Sequence, residues 1–410
     1  MTMRFLIKTA LVVAGLIAGP SPAGMGATAT EAEISTVLPW AELQAWMNEA
    51  KVPAVSISVI KDFNVHWSRA FGLADADDAR PVTTQTLFQA ASISKPVMAV
   101  AAAVLADRGQ LNLDADLGQA LHSWQLPRLA ALGSRPITPR MLLSHTSGLD
   151  DGLGFPGYEP SEQRPDALAI LMGRSPAKTP AIVARQAPMV QSKYSGGGSV
   201  VMQVLLTDVT GQSFPELMQS VVLKPLGMRR SAYQQPLSTR LRLDAALAHD
   251  SNGRRFNVPW KIYPALAAAG LWSTPSDLAV LVSSLQKTRA GQETKPFTKA
   301  SASELLSPVG IGSFSPGFNV FQQGEGWYFA HMGSNHGYRS FLIGHMAKGY
   351  GLVVMANSDN GFALIERICR RIQKAYNWDV HQTQAEFTYG SRRGFGCLPV
   401  TASDPLEDHP

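Results

Sequence analysis

The feature that most constrains the fold of this chain is where its β-rich runs lie. Val55, Ile57 and Val59 alternate strictly with small or polar residues, and 64–71 is a second extended run. Comparable runs return near the other end, at 338–346 and 350–358, joined by Ala347-Lys348-Gly349. Between them, from about 115 to 250, helical stretches alternate with Gly/Pro loops and no strand-rich segment occurs. Strands so far apart in the chain imply one mainly antiparallel sheet built from both termini, flanked by helices and carrying a helical insert. That is an α/β, more strictly α+β, architecture, with a cleft expected between insert and sheet. Helices are predicted over 39–50, from Ser92 until Gly109 stops the run, from around Ser276, and over about 362–376.

The ends read differently. Arg4 and Lys8 precede the apolar run 10–18, and Ala27-Thr28-Ala29 is a small-residue cleavage site, so 1–29 is expected to be a secretory signal peptide. The run is shorter than the roughly 20 residues that cross a bilayer, so no stable membrane span is expected and the mature chain should be exported, periplasmic or secreted. Residues 30–382 form the predicted folded domain, with its insert at about 115–250, and 383–410 a polar, flexible tail.

Charge and metal-ligand chemistry exclude several function classes. The net charge of +5 includes Arg4 and Lys8, and no Lys/Arg cluster is interleaved with aromatics, so no nucleic-acid partner is implied. Only two cysteines occur, Cys369 and Cys397, which could pair in an oxidising compartment but supply no disulfide scaffold or thiolate metal site. The nine histidines lack metal-ligand spacing, and Gly-x-Ser-x-Gly is absent, so neither a zinc peptidase nor a nucleophile-elbow hydrolase is expected. No metal and no cofactor are called for. Asn335-His336-Gly337 reads as a tight turn.

Ser-x-x-Lys occurs four times, at Ser58/Lys61, Ser92/Lys95, Ser175/Lys178 and Ser284/Lys287. Ser58 sits in a strand, where residues three apart face opposite ways, and Ser175 precedes Pro176 in a loop. Ser284 falls near a helix C-terminus, where the macrodipole opposes developing negative charge. Ser92 alone opens a long apolar helix, which puts its hydroxyl and the Lys95 ammonium on one face and brings unpaired amides close by. From the helix alone, Ser92 is a nucleophile or an N-cap.

Three longer stretches favour the nucleophile. Phe88-Gln89-Ala90-Ala91-Ser92-Ile93-Ser94-Lys95-Pro96 resembles the nucleophile motif of the serine β-lactamase and penicillin-binding-protein family. Ile137-Thr138-Pro139-Arg140-Met141-Leu142-Leu143-Ser144-His145-Thr146-Ser147-Gly148-Leu149 and Ala268-Ala269-Gly270-Leu271-Trp272-Ser273-Thr274-Pro275-Ser276-Asp277-Leu278 resemble stretches of its class C, esterase and D-aminopeptidase-like branch. The resemblance runs in family order over roughly 40–378 and implies a β-lactamase/transpeptidase-like fold.

It also implies roles. Ser92 would be the nucleophile, with Lys95 and Tyr194 handling its proton. Tyr194 lies in Lys193-Tyr194-Ser195-Gly196, where the family usually has Tyr-x-Asn; Gly196 replaces the asparagine, which argues against ordinary β-lactam recognition. His331-Met332-Gly333-Ser334 stands in place of Lys-Thr-Gly. There His331 would bind substrate, Gly333 would admit a substrate backbone to the strand edge, and the amides of Ser334 and Ser92 would form the oxyanion hole. His145 is expected to be a structural hydrogen-bonding residue. The function expected is hydrolysis of amide (peptide) bonds through a Ser92 acyl-enzyme, on linear peptides with D- or unusual residues. A carboxylesterase, a weak β-lactamase or a covalent penicillin-binding sensor with little turnover are the alternatives. The expected partner is a small-molecule or peptide substrate; the sequence sets no oligomeric state.

Overall fold

The computed structural model describes residues 28–128, 135–149, 154–324 and 326–378. The leader, but for its last two residues, the 383–410 tail and Cys397 lie outside them, and with Cys397 the suggested pairing; Cys369 is buried.

Strands β1 (Ala54–Lys61), β2 (Asn64–Asp75) and β3 (Arg80–Pro81) come from the N-terminal part. After a short β4 (Phe88–Gln89) and β5 (Trp272–Ser273), which pair with each other, come β6 (Asn319–Gln323), β7 (Gly326–Asn335), β8 (Tyr338–His345) and β9 (Gly351–Ala356). The main sheet has seven strands in the order β3-β2-β1-β9-β8-β7-β6, and its pairings are antiparallel. The two ends of the chain meet at β1–β9, as the distribution of β-rich runs requires. β6 and the start of β7 are not among the sequence-predicted strands; Gly324 and Gly326 break up a segment whose alternation is short.

Both faces of the sheet are covered, and the side-chain period of two sorts residues between them. Val55, Ile57, Val59, Phe341, Ile343, Leu352 and Val354 pack with α1 (Glu31–Val37), α2 (Trp40–Ala50) and the C-terminal helix Gly361–Ala375. Ile60, Leu342, Val353 and Met355 face the larger core, which holds α3 (Ser94–Asp107) and helix Pro275–Arg289. Ser56 and Ser58 point the same way, and Ser58 Oγ is 2.7 Å from Ser68 Oγ.

Helix α3 is buried from Ser94 to Leu105. A Val/Ala-rich run that is apolar all round suits a central helix with no solvent face. The 115–250 stretch contributes α4 (Pro139–Leu143), α5 (Ala167–Met172), α6 (Gly196–Thr210) and shorter turns, with no named strand among its described residues. Thr138, Asp166, Ser195 and Thr274 accept from backbone amides at the starts of α4, α5, α6 and Pro275–Arg289, each cap worth about 1 kcal/mol.

At the β8–β9 turn, His345 Nδ1 accepts from the amides of Ala347 and Lys348, both at 2.9 Å. Burial, then the Lys348 charge, lowers its pKa from 6.5 to about 4. The unfolded chain therefore takes up this proton first, so the contribution is complete above pH 6.5 and is lost as pH falls toward 4. His345→Asn keeps an acceptor without the titration. Denaturant unfolding between those pH values should show a shallower acid loss of stability in the variant than in the parent.

Candidate active site

The Ser92 turn is held by its carbonyls. Ser92 lies in a 3₁₀ turn, Ala91–Ile93, ahead of α3, and Ala91 adopts φ 50°. The Ala90 carbonyl accepts from Ser340 Oγ (2.8 Å) and the Ala91 carbonyl from Ser94 Oγ (2.6 Å). Ser94 Oγ in turn accepts from the Leu271 amide (3.0 Å), and Tyr233 Oη donates to the Ser94 carbonyl (2.6 Å). With β4 paired to β5, the first and third of the resembling stretches lie side by side.

Ser92 Oγ, half-buried, accepts from Lys95 Nζ at 3.1 Å. The buried ammonium also donates to the Ala268 carbonyl (2.9 Å) and lies 4.8 Å from the centre of the Tyr194 ring. The next carbonyl, Ala269, takes a bond from Asn335 Nδ2 (3.1 Å), which also donates to Gln89 Oε1 (2.7 Å). Two successive carbonyls thus tie the lysine and the end of β7 to one short helix, Leu266–Ala269.

Tyr194 is carried on a segment fastened to His145. The His145 carbonyl accepts from the Lys193 amide (2.8 Å), and its Nδ1 accepts from the Ser195 amide (3.2 Å). The acceptor role of Nδ1 assigns the ring proton to Nε2. His145 itself adopts φ 59°, its ring 4.5 Å from that of Tyr194. Burial, then the charge of Lys95, drives its pKa well below the ordinary value, so the ring is neutral. The structural hydrogen-bonding role expected for His145 is what its contacts describe.

His331 closes the other side, 6.3 Å ring to ring from Tyr194 and 95% buried, its exposure being 5%. Its Nδ1 donates to the Met332 carbonyl (2.7 Å), while the buried Nε2 has no protein partner. Burial first and the Lys95 charge second lower its pKa to about 3. A neutral imidazole with a free acceptor nitrogen can take a bond from a donor, as substrate binding would require. Phe314 packs edge-on to His145 at 4.7 Å and lies 6.0 Å from Tyr194 and 6.5 Å from His331. Nothing in the sequence signalled it: a lone aromatic in a Gly/Ser/Pro loop has no pattern to read.

The model of the family described as Beta-lactamase matches residues 41–373. The chain belongs to the β-lactamase family. Esterase EstB of Burkholderia gladioli is 30% identical over 319 residues, 70% of this chain and 76% of that protein. Protein flp of Staphylococcus aureus (strain N315) is 24% identical over 80% of the chain, which spans 64% of that relative's length. Among solved structures, SurE has a TM-score of 0.66 at 24% identity, with 84% and 76% of the two chains covered. The octameric penicillin-binding protein homologue from Pyrococcus abyssi has a TM-score of 0.64 at 23% identity, covering 81% and 77%. Both likenesses show the β-lactamase/transpeptidase-like fold.

In this member of the family the other three Ser-x-x-Lys pairs are engaged elsewhere. Ser58 is inside the sheet, Lys178 pairs with Glu162, and Lys287 donates to Asn64. Ser92 does not stand at an N-cap position: Ala90 precedes the 3₁₀ turn and Ile93 precedes α3, while Ser92 Oγ accepts from Lys95.

A Cβ on Gly333 would stand 2.2 Å from Ser340 Oγ and 2.3 Å from the Ala90 carbonyl oxygen, so this glycine permits the close approach of the Ser92 turn to β7. Ser334, the next residue, is exposed. Gly333→Ala is therefore expected to cost about 2 kcal/mol as an overpacking change and to slow labelling of Ser92 by a fluorophosphonate. Thermal unfolding and intact-mass labelling rates check the two effects. Because His331 titrates near 3, His331→Asn should leave the pH dependence of that labelling unchanged in shape above about pH 5; a shifted midpoint there would contradict a neutral His331.

Proposed function

We propose that the chain is an exported serine hydrolase that cleaves the amide bonds of linear peptides containing D- or unusual residues. The observation that carries the hydrolase reading is Lys95 Nζ at 3.1 Å from Ser92 Oγ, with the same ammonium against Tyr194. Ser92 Oγ bonds to the substrate carbonyl carbon, its proton passes by way of Tyr194, assisted by the adjacent Lys95 charge, to the leaving nitrogen, and the C–N bond breaks. Water then attacks the acyl-enzyme, the acid leaves, and a proton returns to Ser92. The amides of Ser92 and Ser334 hold the oxyanion in both steps.

The peptide reading draws support from the sheet. β6 pairs with β7 only as far as Ala330, and among the described residues no strand pairs with 331–335 on the side away from β8. An extended peptide can add to such an edge by main-chain hydrogen bonds.

A second reading, a carboxylic ester as substrate, is favoured by Gly196. It offers no hydrogen-bonding side chain two residues from Tyr194, and the relative at 30% identity is an esterase by name. A mass-spectrometric turnover screen of the purified protein tests both, with p-nitrophenyl esters, a chromogenic β-lactam, and linear peptides carrying D- or L-residues at either end. Peptide cleavage lost in Ser92→Ala is the expected result. Ester cleavage alone would establish the second reading, and one stable adduct per protein would replace turnover with a covalent sensor.

A further inference from the structure

Residues 154–158 form a strap tied down at both ends. At one end the Phe155 ring rests on Gly196: a Cβ added there would stand 3.0 Å from Phe155 Cε2 and 3.7 Å from two further ring carbons. At the other, Tyr158 and Ile262 exchange both backbone hydrogen bonds, at 2.8 and 2.7 Å, and Gly157 is pressed against Lys261 and Tyr263. The Lys261 carbonyl accepts from Gln89 Nε2 (2.8 Å), and Tyr263 Oη accepts from the His336 amide (3.0 Å). The strap therefore links the Tyr194 side of the cleft to the side formed by Gln89 and the tip of the β7–β8 hairpin.

Phe155 is half-buried between two exposed residues, Gly154 and Pro156. One side of its ring rests on the first turn of α6, two residues along from Tyr194, and part of the side chain stays exposed while the remainder packs against the core. A half-exposed aromatic on a rigid support is a contact surface for an apolar group, because the cost of fixing its side chain is already met in the free protein. No polar side chain can intervene at 196 without displacing the ring.

We propose that Phe155, seated on Gly196, is a specificity-determining residue: its ring is the wall of a subsite beside Tyr194 that takes an aromatic or branched hydrocarbon acyl group. The assignment rests on acylation of Ser92 and holds whether the bond cleaved is an ester or an amide. It sets which acyl groups reach Ser92, whereas Lys95 and Tyr194 set how fast they react.

The test is a series of p-nitrophenyl esters differing only in the acyl group: acetyl, isobutyryl and benzoyl. Phe155→Ala is expected to lower the benzoyl-to-acetyl ratio of kcat/KM about ten-fold, the scale of an apolar pocket contact. Phe155→Tyr should hold that ratio, and Phe155→Leu should lower it while keeping the isobutyryl-to-acetyl ratio. These two fill the same space and secure the test if the alanine variant folds poorly. Gly196→Ala should shift the ratio in the parent but not in Phe155→Ala, since its Cβ acts by moving the ring. Equal losses for all acyl groups, or an unchanged ratio, would overturn the subsite. Hydrolysis surviving in Ser92→Ala would instead refute the acyl-enzyme reading.

Discussion

The site is organised around a buried ammonium. Taking a lysine out of water costs several kcal/mol even after relaxation, and a charge-assisted hydrogen bond returns about 1.5–3 kcal/mol. Lys95 therefore needs several acceptors at once. It has Ser92 Oγ, the Ala268 carbonyl and the face of Tyr194, and each comes from a different part of the chain. The same charge explains why both neighbouring histidines stay neutral. His145 and His331 are already disfavoured as cations by burial, and Lys95 lowers them further. The cluster thus holds a localised positive charge at Ser92 Oγ instead of spreading it over three basic side chains.

The tight turn that carries Ser92 also has to be kept from relaxing. Ala91 at φ 50° is in a region that costs a non-glycine residue of order 1–3 kcal/mol. Ser340 and Ser94 restrain the carbonyls on either side of this strained linkage. The arrangement explains why Gly333 lies on β7 where it does. The turn is pressed onto the strand that carries His331 and Ser334, and Ser340 Oγ, bonded to the Ala90 carbonyl, fills the junction beside Gly333.

How much of this was legible in the sequence depended on whether the signal was local. The end strands, α3, and the Pro275–Arg289 and Gly361–Ala375 helices were readable to within a few residues, because period and caps lie within each segment. Helix geometry puts Ser92 and Lys95 on one face, but it left Ser92 as nucleophile or N-cap, and the longer resembling stretches favoured the first. The resemblance, rather than any periodicity, led to Tyr194 and His331. The residues that hold them were not legible: Ser340, Asn335, Tyr233 and Phe314 act across hundreds of positions or within irregular loops, and each looks ordinary in its own segment. Asn335-His336-Gly337 shows the limit. It is the hairpin tip the sequence suggests, yet the asparagine side chain also ties β7 to Gln89 and Ala269.

These long-range ties mean the site cannot form piecemeal. The Ser92 turn depends on Ser340 from β8 and Leu271 beside β5, and the Tyr194 segment depends on His145. The first two of these contacts join segments more than 150 residues apart, and the third spans some fifty residues of the 115–250 insert. Local propensity builds α3 and places Lys95 beside Ser92, but nothing local gives the ammonium its second acceptor or the Ala91 linkage its restraints. The surroundings of Ser92 are therefore a property of the assembled sheet, and a partly folded chain carries the same Ser-x-x-Lys motif without what makes it differ from the three other copies in this sequence.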